Sequence, residues 1–168
     1  TLDRSSAASD VYKRQGESVE PESLKHNQHL QMNLDKLRAQ EGYDFGGIAL
    51  YDYHHTSSPI KWQYVSGNTN DRYKLIILRK GRGLAGMVMK TGKRMVIADV
   101  DTALSPEEKV KFPIILSESL TAVVAVPLWL ENSMYGVLLL GQRNHQPLPQ
   151  SLDQLNIEKQ IGIFTEIN

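Results

Sequence analysis

Only eight residues separate Gly83 from Gly92 in the stretch "GRGLAGMVMKTGKRMVIADVD", Gly81 to Asp101. That spacing limits the fold more than any other feature of the chain. The stretch contains G-x-G-x-x-G (Gly81, Gly83, Gly86), follows the apolar run Leu75–Leu78 and ends in acids. On paper this is a strand, a glycine loop, a helix, a strand and an acid, as in a dinucleotide-binding unit. A crossover between parallel strands, however, needs a helix that covers the sheet, about ten to twelve residues with its loops. Gly92 stops the helix before that length is reached. A phosphate loop fails too: one anchored on Gly92-Lys93 needs Gly at 87 and Ser or Thr at 94, where the sequence has Met87 and Arg94. What survives is a glycine-rich entry into a short helix. Its first N–H groups lack partners and lie at the positive end of the helix dipole, which suits an anion. The same glycines equally serve a tight turn and close packing.

The rest of the chain reads as strands between terminal helices. Glu20–Gln40 is helical, with Leu24, Leu30, Leu34 and Leu37 near one face and Met32 off it. Pro21 suits its first turn and Gly42 its stop. Tyr43–Tyr53 reads as a first strand. A second begins at Ile60, with Ile60, Trp62 and Tyr64 alternating. "NTNDRY" forms a turn or short helix, and "RMVIADV" is a strand. Ser105-Pro106-Glu107-Glu108 starts another short helix, with a capping serine, a first-turn proline and early acids. Leu120–Leu130 and Tyr135–Arg143 flank the turn "ENSM" as a hairpin. Pro149–Asn168 reads as a closing helix. This order gives an α+β fold.

Composition narrows the function. The 168 residues carry 19 basic and 19 acidic side chains, with pI near 6.9. A net charge of zero argues against general nucleic-acid binding, which needs a basic surface. There is no cysteine, so disulfides, thiolate metal sites and cysteine nucleophiles are excluded; a cytoplasmic location fits. No apolar run approaches the ~20 residues of a membrane span. His54-His55 and His26 with His29 lack a third ligand at suitable spacing, so no metal site is expected. Asp99 and Asp101 are expected to end a strand and begin a loop. Arg79, Lys80, Arg82, Lys90, Lys93 and Arg94 read as a solvated basic face. The chain begins without Met, and "SAASDVYKRQ" resembles translated sequencing-adapter read-through. Residues 1–15 are therefore expected to be a non-native or disordered tail.

The glycine block, the "I-x-D" strand, "S-x-x-x-V-P-L" and "G-V-L-x-L" occur here in order, over roughly Tyr43–Arg143. Together they resemble the GAF domain. The resemblance implies a central antiparallel sheet, with N- and C-terminal helices on one face and ligand-covering loops and short helices on the other, over residues 16–168 as a single domain. "IKWQYVSGNTNDRYKLIILRKGRGLAG" and "KFPII" are similar to the nitrate-receptor branch of that family, the NreA type. That branch implies a cytoplasmic binding module without catalysis or cofactor, whose partners are nitrate and a sensor histidine kinase. It places the ligand against Trp62, the amides of Leu84 and Ala85, and the Phe112-Pro113-Ile114 segment. A homodimer through an apolar terminal-helix face is also implied as an option. The alternative is a GAF module for another small ligand, an amino acid or a nucleotide. An enzyme of this fold ranks last, because no cysteine and no nucleophile–base pair is recognisable.

Overall fold

Three leucines at helical spacing fix the first element. Leu30, Leu34 and Leu37 are buried, while Met32 on the far side is 66% exposed. They belong to α1, Glu20–Glu41. Burying each is worth about 1.5–3 kcal/mol, which anchors the helix to one face of the sheet. The computed structural model describes residues 20–52, 57–130 and 132–149, with side chains from residue 29 onward except at 130. The expected tail at 1–15, the side chain of Leu24 and the expected closing helix lie outside the described residues.

The strands are β1 (Phe45–Tyr51), β2 (Ile60–Ser66), β3 (Met95–Ile97), β4 (Ala122–Leu130) and β5 (Ser133–Gln142). They form one sheet in the order β2-β1-β5-β4-β3, and every neighbouring pair is antiparallel. Between β2 and β3 lie a 3-10 turn at Arg72–Leu75 and α2, Gly83–Thr91. Between β3 and β4 lie three short helices: α3 (Val100–Ala103), α4 (Pro106–Lys109) and α5 (Pro113–Ser117). The β3 strand that follows the glycine loop pairs antiparallel with β4, so the parallel crossover of a dinucleotide unit is absent, as the short spacing requires. Pro127 sits within β4 without harm. It lies opposite Val137 of β5, while on β4's other side the pairing with β3 reaches no further than Ala125. A missing N–H is tolerated at such an open edge.

The sheet divides the core in two. On the α1 face, Leu30, Leu34 and Leu37 meet Ile48, Leu50, Val124, Val126, Leu138 and Leu140. On the other face, Phe45, Ala49, Trp62, Val123, Val137 and Leu139 pack with α2 and with Ile114 and Ile115 of α5. This architecture is the expected α+β GAF arrangement.

Two local readings change. The run Leu75–Leu78 is not a strand. It follows the 3-10 turn and touches the sheet through a single bridge, Leu78 to Ile60. Ile76 and Leu78 point inward, whereas Leu75 is 79% and Ile77 61% exposed. Apolar composition alone mistook this half-anchored edge segment for a strand. The alternation Ile60, Trp62, Tyr64 also breaks. The β1–β2 register pairs Ile48 with Tyr64 but Ala49 with Trp62, leaving Gln63 as the extra residue of a β-bulge. Ile60 and Trp62 face the α2 side, while Tyr64 packs against the α1-side core.

Candidate functional site

Just before the bulge at Gln63, Trp62 faces the α2-side core with Ile60, and its side chain is 3% exposed. The neighbouring strand makes room for it. A Cβ added to Gly47 would lie 3.1 Å from Trp62 Cε3, so the indole ring rests close against the β1 backbone. Its Nε1 is buried and has no hydrogen-bond partner among the described residues. Indole N–H is a donor only. Leaving such a buried donor unmatched costs about 1–3 kcal/mol.

A second set of donors comes from α2. Its preceding residue, Arg82, is extended and contributes no side-chain cap. Neither Leu84 nor Ala85 donates its amide N–H to a backbone partner outside the helix among the described residues, and first-turn amides have none within it. Both residues are fully buried. The glycines explain how the chain enters so tightly. Gly83 has φ +68°, and a Cβ there would meet a Leu78 methyl at 2.7 Å. At Gly86 a Cβ would come within 2.3 Å of the Arg79 carbonyl oxygen. Gly81 N–H also donates to the Gly86 carbonyl at 2.7 Å, folding the loop back over the helix. The tight turn and the unpaired amides are therefore both present.

The third donor lies on α5. Phe112 precedes it without a side-chain cap, and Pro113 occupies the first turn. Proline has no N–H, so Ile114 carries the first amide of this helix. Ile114 is 1% exposed. Trp62, Leu84, Ala85 and Ile114 share one buried cluster, with Phe112 half-buried against it. Pro113 is half-buried and lies outside that cluster.

Among the described residues, the cation that reaches this cluster is Arg143, whose guanidinium lies 5.8 Å from the centroid of the Phe45 ring. The buried charged side chain there is Glu118, next to α5, with 0% exposure. It pairs with Arg143 at 2.5 Å. Sequence reading missed this pair, since nothing in a local pattern links residues 25 positions apart. Arg79, Lys80, Arg82, Lys90, Lys93 and Arg94 are all exposed, and none forms an ion pair among the described residues. That matches a solvated face. Asp99 directly precedes α3, beyond the end of β3, as expected. A hydrogen bond from Thr102 Oγ1 holds its carboxyl below the usual range. Asp99, Asp101 and His145 converge at the surface, where Lys109 already pairs with Asp101. Among the described residues no helix is long and apolar enough to cross a membrane.

No protein-family model matches the chain, and no curated protein does. Solved structures do. An NreA protein of Staphylococcus aureus mutated in its nitrate-binding site is 65% identical, with a TM-score of 0.75, over 78% of this chain and 95% of that one. A hypothetical protein from S. aureus is 69% identical, with a TM-score of 0.70, over 72% of this chain and 98% of that one. At 18% identity, the GAF domain of a phosphoenolpyruvate-protein phosphotransferase from Coxiella burnetii matches with a TM-score of 0.65, over 84% of this chain and 82% of that one. The last likeness shows the fold; the first adds the family. The chain belongs to the NreA family of GAF-domain proteins.

Proposed function

We propose that this protein is a nitrate receptor, which binds one nitrate ion between Trp62, the Leu84 and Ala85 amides, and the Phe112-Pro113-Ile114 segment. The observation that carries the reading is the buried Trp62 Nε1 with no partner among the described residues. Nitrate is small, planar, monovalent and weakly hydrated. A few fixed N–H donors and a helix dipole can compensate its charge without a buried cation. The flat indole offers both a donor and an apolar face to a planar ion. Sulfate, with twice the charge, would be poorly compensated. A relative studied for its nitrate-binding site supports the choice of ion.

In this reading the protein is a binding module, not an enzyme. It restrains a sensor histidine kinase in the cytoplasm when empty and releases it when nitrate binds. The switch is ordering of the segment Ser105–Leu116 over the ion. Calorimetric titration with nitrate, nitrite, chloride and sulfate tests the ligand. Nitrate is expected to bind and sulfate not. Trp62→Phe keeps an aromatic ring and removes the donor, so affinity should fall about tenfold, as for one lost hydrogen bond. Absence of nitrate binding by the unmodified protein would sink the reading. Hydrogen exchange tests the switch: no nitrate-dependent protection at 105–116 would remove it.

A further inference from the structure

Glu118 is a carboxylate with 0% exposure, and none of the ligand-facing donors uses it. Its Oε1 accepts from Thr69 N–H at 2.8 Å, from Thr69 Oγ1 at 3.0 Å and from Arg143 Nη2 at 2.5 Å. Its Oε2 is buried with no partner among the described residues, so the carboxylate is held through one oxygen. Arg143 also donates Nε to the Glu118 carbonyl at 2.8 Å and Nη2 to the Gly67 carbonyl at 3.0 Å. Gly67 and Thr69 closely follow β2, the strand of Trp62. Glu118 directly follows α5, the helix of Ile114. A second tie runs alongside, from Asn70 Nδ2 to the Ser117 carbonyl at 2.6 Å.

We infer that Glu118 and Arg143 form a buried latch that fixes the distance between the Trp62 and Ile114 halves of the site, and that both are positioning residues for the ligand. The inference rests on the anion-site reading above. Charge-assisted hydrogen bonds are the strong kind, and Arg143 spreads its fork over three segments, at Glu118, Gly67 and Asp44. The latch also has an electrostatic side. A carboxylate four residues from Ile114 opposes an anion bound there unless a cation cancels it, and Arg143 supplies that cation. Removing the arginine therefore harms anion binding more than neutralising the acid does.

The test compares nitrate affinity, melting temperature and hydrogen exchange in the full chain. The variants are Glu118→Gln, Arg143→Lys and Arg143→Met. The control is Leu138→Val, which loosens the opposite core without touching the latch. Glu118→Gln should weaken nitrate a few-fold, because the loss of the latch is partly offset by the Arg143 charge it leaves uncancelled. Arg143→Met should weaken it further, and Arg143→Lys should restore part of the loss. Leu138→Val should lower the melting temperature and leave affinity unchanged. Amides at 67–70 and 114–117 should exchange faster in Glu118→Gln. If Glu118→Gln and Leu138→Val change affinity equally, the latch is overturned. If Arg143→Met does not fold, Arg143→Lys and Glu118→Gln carry the comparison. If the unmodified protein binds no nitrate, the ligand reading fails and the exchange measurement decides. Faster exchange at both segments then preserves the latch; unchanged exchange overturns it too.

Discussion

The two faces of the sheet are built from similar apolar residues yet are finished differently. On the α1 side, leucines at helical spacing close over Ile48, Leu138 and Leu140. Within that core the Tyr43 hydroxyl has no hydrogen-bond partner among the described residues. On the α2 side the cover is made of short pieces: a nine-residue helix and three of four or five residues. Among the described residues, the starts of α2 and α5 leave backbone amides without partners, and the buried Trp62 indole N–H has none either. One face is arranged for stability. The other keeps buried donors with no partner among the described residues.

The widest way to break that comparison is Leu34→Ala. Leu34 is fully buried, so the loss should be about 2–5 kcal/mol in denaturant unfolding. Nitrate affinity should not change while the protein stays folded; a large change would mean that the faces are not separable. A sharper probe is Gly86→Ala. The added methyl must move the Arg79 carbonyl, for a cost of about 1–3 kcal/mol. Here affinity should fall as well, because the same loop sets the Leu84 and Ala85 amides. The smallest effect is expected for Tyr43→Phe at neutral pH. Burial pushes the Tyr43 phenol up to about 12. The unfolded phenol ionises near 10, so the native protein should lose stability as pH rises from 10 towards 12. Tyr43→Phe should flatten that part of a pH–melting profile. An unchanged slope would remove Tyr43 from the account.

Much of this architecture is legible in the sequence, for identifiable reasons. Leu30, Leu34 and Leu37 repeat at the helix period, and the hairpin's apolar runs flank a polar turn; both signals are local. The spacing between Gly83 and Gly92 rules out a parallel crossover by chain length alone. The capping box at Ser105 and Glu108, whose two hydrogen bonds both form, is also readable, because all its partners lie within one turn. The extra residue at Gln63 is not, since a bulge is defined by what β1 places opposite it. Nor is the exposure of Leu75 and Ile77, which depends on how little of that run reaches the sheet. The Glu118–Arg143 pair is invisible in one dimension because its partners meet only after β5 is in place. Among the site residues, Trp62 and the helix-start amides came from a resemblance to a family, and the structure supplied their surroundings.

The bulge at Gln63 separates two requirements that a regular strand would tie together. On one side of it, Trp62 is held in the α2-side core; on the other, Tyr64 packs against the α1-side core. One inserted residue thus lets a single strand evolve in two halves. A substitution at position 62 need not disturb the seat of the helix behind the sheet. With Gln63 kept in register and no bulge, Trp62 and Tyr64 would fall on one face and compete for the same side of the sheet.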